Sequence, residues 1–96
     1  MSANLVMEGD MTIVNAAIQR EQLLAAVQAA PTRLTLDMRQ VDGVDSAGLQ
    51  LLLATQHSLA RTAAALVLDG VQPAVANAMG VYGLQPLLLA DTGASA

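Results

Sequence analysis

The chain contains no cysteine, no lysine, no phenylalanine and no tryptophan, and Tyr82 is its one aromatic residue. Without cysteine there is no disulfide framework, no thiolate nucleophile and no cysteine-bound metal, so the chain suits a reducing compartment and is expected to be cytoplasmic. Without lysine there is no P-loop, whose phosphate cradle ends in Gly-Lys. The cations are Arg20, Arg33, Arg39 and Arg61, set against eight acids for a net charge of −4. They are scattered along the chain, so neither nucleic acid nor an anionic membrane surface is an expected partner. No apolar run reaches the roughly 18 residues needed to span a bilayer. The opening MSANLVMEGD lacks a basic region followed by an apolar one, so no secretory signal and no direct membrane insertion are expected.

The 96 residues are 54% apolar. At that length one domain is expected over residues 1–96, with 1–4 and 91–96 as frayed ends, and roughly two-thirds of the unfolded surface can be buried. The core must come from Leu, Val, Ile, Met and many alanines, and small side chains bring elements close together.

LVMEGDMTIVN (5–15) reads either as a tight hairpin or as one strand bent at Gly9, the bent strand being favoured. AAIQREQLLAAVQAA (16–30) predicts a helix capped by Asn15, with Ala16, Leu23 and Val27 on one face and Pro31 as its stop. RLTLDM (33–38) alternates like a strand ending at Asp37, a second helix runs from about Ser46 to Thr62, and AAALVLDG (63–70) reads as another buried strand. Strand, helix, strand makes a parallel βαβ unit. PAVANAM (73–79) predicts a short helix with Pro73 in its first turn and Gly80 as its stop, and LQPLLLA (84–90) a last apolar element.

VDSAGLQLLLA (44–54) places an acid, a hydroxyl and a glycine before a run of leucines. Asp45 and Ser46 are both good caps for the helix that follows. On a wheel of ~100° per residue, Leu49, Leu52, Leu53, Leu59, Ala60 and Ala63 fall on one arc facing the sheet, with Leu51, Ala54 and Ser58 on the outward arc. Leu51 is therefore a candidate partner contact.

Enzymatic readings fail for want of residues. His57 is the one histidine, eleven positions beyond Ser46 on the same helix. At ~1.5 Å of rise per residue the two cannot meet, and there is no G-x-S-x-G elbow. Asp37, Asp42 and Asp45 suit a solvated, capping turn better than a cation cage, so neither metal nor cofactor is expected.

LTLDMRQVDGVDSAGLQLLLA resembles the signature of STAS domains, the module of bacterial anti-sigma factor antagonists, with Asp-Ser-Ala-Gly-Leu opening a helix after a strand ending in Asp. LVMEGDMTIVNA and LVLDGVQPAVANAMGVYGLQPLL extend the similarity over about residues 5 to 88. The resemblance implies an α/β STAS fold: a central mixed sheet of about four strands with a parallel βαβ unit, packed against about four helices. It implies that Ser46 is phosphorylated by a partner serine kinase, and together with the outward Leu51 and the acids of the turn this makes Asp42, Asp45, Ser46, Gly48 and Leu51 the expected partner surface. The function implied is a non-enzymatic switch that binds a kinase-type anti-sigma factor or related signalling protein and lets go when phosphorylated. Two alternatives stand beside it: a constitutive subunit bracing the ATPase of a lipid-transporting ABC complex, and a STAS protein of a chemotaxis system. Against that family pattern, Gln19 takes an apolar position and leaves Ile18 outward, RTAAAL lacks the usual glycine with no evident need for a positive φ, and an open sheet edge could join two copies as a homodimer.

Overall fold

The computed structural model describes residues 1–84, in the order β1 (Ser2–Val6), α1 (Ala16–Gln28), β2 (Arg33–Asp37), α2 (Ser46–Ala60), β3 (Ala65–Asp69) and α3 (Pro73–Val81). The apolar segment expected at 84–90 and the tail at 91–96 lie, apart from Leu84, outside the described residues.

The expected mixed sheet of about four strands is, among the described residues, a three-stranded sheet in the order β1-β2-β3, parallel throughout, with three helices instead of about four. A helix separates each strand from the next, so all three run the same way. Leu5 pairs with Leu36 and Leu36 with Leu68 across the sheet. Residues 2–4, within the end expected to fray, are placed in the first strand. Thr32 donates to the Met1 carbonyl from its amide at 2.7 Å and its hydroxyl at 2.8 Å, and Ser2 to Asn4 belong to β1. The first strand thus starts three residues earlier than its apolar pattern suggested, and Met7 and Met11 lie beyond it as buried loop residues.

One face of the sheet carries Leu34, Leu36, Leu66 and Leu68, which join Leu23, Leu49, Leu52, Leu59, Val75 and Met79 in a single core cluster. Met7, Met11, Met38 and Met79 are all fully buried. In a core with no phenylalanine or tryptophan, these unbranched side chains fill the irregular gaps that rings would otherwise occupy. On α2 alone, burial of Leu49, Leu52 and Leu59 is worth about 1.5–3 kcal/mol each relative to exposure.

The wheel reading of α2 needs correction. Thr55 is buried with the leucines because its hydroxyl donates to the Leu51 carbonyl at 2.7 Å, so its polar group is satisfied within the helix. Leu51 is half-buried, Ala60 and Ala63 are exposed, and the helix ends at Ala60. Ala63 has φ 58°, so the turn before β3 does require the left-handed region, and an alanine occupies it. Asn15 precedes α1 without capping it, its amide donating instead to the Asp10 carbonyl at 2.8 Å. The third helix passes through Gly80 to Val81, and the chain turns at Gly83, φ 72°.

Candidate functional site

Parallel strands deliver their following loops to the same end of a sheet, so the loop after β1 and the loop after β2 meet beside the start of α2. There they are laced together. Met11 donates to the Gly43 carbonyl at 3.0 Å, and the Met11 carbonyl accepts from the Asp45 amide at 3.1 Å, forming an isolated parallel bridge between Met11 and Val44. Asp10 Oδ1 accepts from the amides of Asp42 and Gly43, both at 3.1 Å. Behind the loop, buried Gln19 donates its side-chain amide to the Asp10 carbonyl at 3.1 Å, with longer contacts of 3.5 Å to the carbonyls of Glu8 and Gly9. A leucine at this position of α1 would bury those carbonyls without a donor. That explains a polar residue where apolar spacing called for the opposite, and Ile18 indeed points outward, 67% exposed.

Asp45, and not Ser46, is the N-cap of α2. Its Oδ1 accepts from the Gly48 amide at 3.1 Å and its Oδ2 from the Ile13 amide at 2.9 Å, so one carboxylate closes the helix end and ties down the first loop. The Ile13 amide, followed by that of Gly48, holds the Asp45 carboxyl below its ordinary value of 3.8, against the opposing effect of partial burial. Because the folded value is depressed, this contribution to stability is complete above the unfolded value and is lost as pH falls through the folded one. Asp45→Ala should therefore lower the melting temperature by about 4–8 °C at neutral pH, the size expected for a lost cap in a domain of this length. Ser46→Ala should change it by no more than about 2 °C. Thermal unfolding followed by circular dichroism would show both, and the gap between parent and Asp45→Ala should close as pH is taken below 3.8.

Ser46 is the first residue of α2, is exposed, and its hydroxyl makes no hydrogen bond among the described residues. Asp42 is exposed nearby, and none of Asp10, Asp42 and Asp45 is in an ion pair among the described residues. The other two sequence candidates sit differently. Gly48 is buried against the Met11 backbone, which leaves its position no side chain to offer a partner. Leu51 lines an open groove between α1 and α2 with Leu23, Leu24 and Val27, away from the outward arc expected for it. His57 is exposed on α2, and among the described residues no three histidines or acids converge as metal ligands. At the ends of β2 and β3, Arg39 bridges Asp37 and Asp69 at 3.3 Å each, an exposed arrangement that ties two strand ends together.

Sequence reasoning missed Ile13 and Val14, which are 72% and 84% exposed next to the helix start. Their signal was present: two large apolar residues side by side fit neither the strand before them nor the helix after them. It also missed Asp10 and Gln19 as the groups that hold the platform. Among the described residues, the exposed face therefore combines an unbonded hydroxyl, three carboxylates and two apolar side chains.

The family described as "Mlab, STAS domain" matches residues 2–90. No curated protein matches the chain in sequence. Among solved structures, the chain is similar to a sulfate transporter family protein from Wolinella succinogenes at 23% identity, covering 91% of this chain and 70% of that one with a TM-score of 0.77. It is similar to the anti-sigma factor antagonist SpoIIAA in its unphosphorylated form at 20% identity, covering 90% and 76%, TM-score 0.75. The phosphorylated form of SpoIIAA, a Bacillus cell fate determinant, matches at 21% identity, covering 88% and 77%, TM-score 0.66. At these identities the likeness is one of fold. Among the described residues no helix is long and apolar enough to cross a membrane.

Proposed function

The chain belongs to the STAS domain family, and from that membership we propose that it is a non-enzymatic protein-binding switch controlled at Ser46. Unmodified, it holds a kinase-type anti-sigma factor or related signalling protein against the face made by Ser46, Asp42, Ile13 and Val14; phosphorylated, it releases that partner. Asp45 orients the face from below, and Leu51 extends the contact along the α1–α2 groove.

The observation that carries the reading is the division of labour at the start of α2. Asp45 takes the cap, and the Ser46 hydroxyl is exposed and unbonded among the described residues. A phosphate there would lie at a helix N-terminus, where unpaired amides and the helix dipole favour an anion, so modification need not disturb the fold. It would add about −1.5 to −2 of charge beside three carboxylates, which is enough to change what the face can meet.

A constitutive subunit bracing the ATPase of a lipid-transporting ABC complex is the second reading, and the Mlab description of the matching family favours it. In that setting Ser46 is a contact and nothing acts on it. The two separate in one experiment: the pure domain is incubated with a purified serine kinase of the anti-sigma type and with ATP, then weighed. The switch predicts transfer of one phosphoryl group to the parent and none to Ser46→Ala. An unmodified parent, with a neighbouring permease and ATPase that co-purify with it, would replace the switch by the transporter reading.

A further inference from the structure

The edge of the sheet formed by β1 is open among the described residues, since β1 has β2 as its one neighbour. The phase of the ladder says which backbone groups are free. Met7 donates to the Asp37 carbonyl, and alternation along the strand then directs the N–H and C=O groups of Ala3 and Leu5 at β2. Those of Ser2, Asn4 and Val6 point away from the sheet. The same three residues are exposed, whereas β3, the other outer strand among the described residues, has Leu66, Val67 and Leu68 buried.

We propose that β1 of one copy pairs antiparallel with β1 of a second copy about a two-fold axis at Asn4, joining two three-stranded sheets into one of six strands.

A second copy fits this edge by the register, the side chains it brings together and the lack of charge. Around Asn4, the antiparallel register sets Asn4 opposite Asn4 and Ser2 opposite Val6 of the other copy, and each of these is a hydrogen-bonded pair. All the outward N–H and C=O groups of both strands are then satisfied, with none left over. On the helix-covered face Leu5 comes beside Ala3 of the other copy, so the half-buried pair at the rim of each core continues into its neighbour. The two asparagine side chains meet on the opposite face, where amide can bond amide. Charge permits the approach: each chain carries −4, yet no side chain before Glu8 is ionisable. Edge strands of monomers are commonly guarded by lysine, proline, a bulge or an inward charge, and Ser2–Val6 has no charged residue and no proline. The pairing leaves the Ser46 face open, because that face lies at the loop end of the sheet and not along its edge.

Asn4→Pro tests this selectively. The Asn4 amide is not used by β2, so proline there removes no bond of the ladder while abolishing the central pair of the dimer. In sedimentation analysis at the highest soluble concentration the parent should run at twice its 9.8 kDa chain mass and Asn4→Pro at the single mass, with superimposable circular dichroism. Asn4→Lys serves if the proline variant does not fold, since it places two like charges in contact across the axis. A monomeric parent, or a folded Asn4→Lys that stays dimeric, would overturn the proposal, and the second result would move the interface to another face.

Discussion

Gly48→Ala should destabilise the domain by about 3 kcal/mol, the upper end of what overpacking a tight site costs. In an ordinary helix interior the same change would stabilise by about 1 kcal/mol, because alanine restricts the unfolded chain and glycine does not. Here the added methyl would land on the Met11 carbonyl, with Met11 Cβ 2.7 Å away. A backbone group cannot rotate aside like a side chain, and this carbonyl is held by the Asp45 amide. Relief requires moving either the loop or the helix, and both moves break the lacing between them. Stability of this size is a large share of the ~5–15 kcal/mol typical of a domain. Urea unfolding should show a lower midpoint with the slope unchanged. If Gly48→Ala were as stable as the parent, the close approach of the Met11 loop to α2 would be wrong.

Ser46→Asp should fold like the parent and bind its partner at least about tenfold more weakly, since like charges set against each other at an interface cost several kcal/mol. The substitution adds one charge to a face already carrying Asp10, Asp42 and Asp45 without an ion pair among the described residues. Ser46→Ala should bind as the parent does, because the hydroxyl makes no bond among the described residues. Titration calorimetry with a kinase-type anti-sigma factor, the partner proposed above, measures all three, and raising the salt should narrow the gap between the aspartate variant and the others. Equal affinities for alanine and aspartate variants would remove charge as the switching principle. Ile13→Ser with Val14→Ser gives the complementary test: it should weaken binding without altering the salt dependence.

The βαβ centre of the fold was legible because its signals are local. An alternating run ending in Asp, a capped leucine-rich helix and a second apolar run each declare themselves within a few residues, and the boundaries of β2, α2 and β3 fall within two residues of their expected places. Ser46 at the mouth of that helix was legible for the same reason. What could not be read depends on groups far apart in the chain. Choosing Asp45 over Ser46 as the cap turns on the Ile13 amide, 32 residues away, which gives the carboxylate a second donor that the hydroxyl could not match. Gln19 looked misplaced on its helix because the carbonyls it serves belong to another segment. Thr55 displaced the wheel by bonding its own backbone, and Ile13 and Val14 were absorbed into a strand that ends seven residues earlier than Ile13.

The bonds between the two loops join residues 32 and 33 positions apart, Asp10 to Asp42 and Gly43, and Asp45 to Ile13. Closing a loop of that length is entropically costly before any contact rewards it, so these bonds depend on the rest of the fold being in place. A chain still emerging from the ribosome, with α2 unmade, carries no face of this kind, and neither does one unfolded by heat. An enzyme that reads Ile13, Val14 and the acids along with Ser46 would modify finished molecules and pass over nascent or damaged ones. The pool of modified protein would then report native copies alone, with nascent and damaged chains left out of the signal.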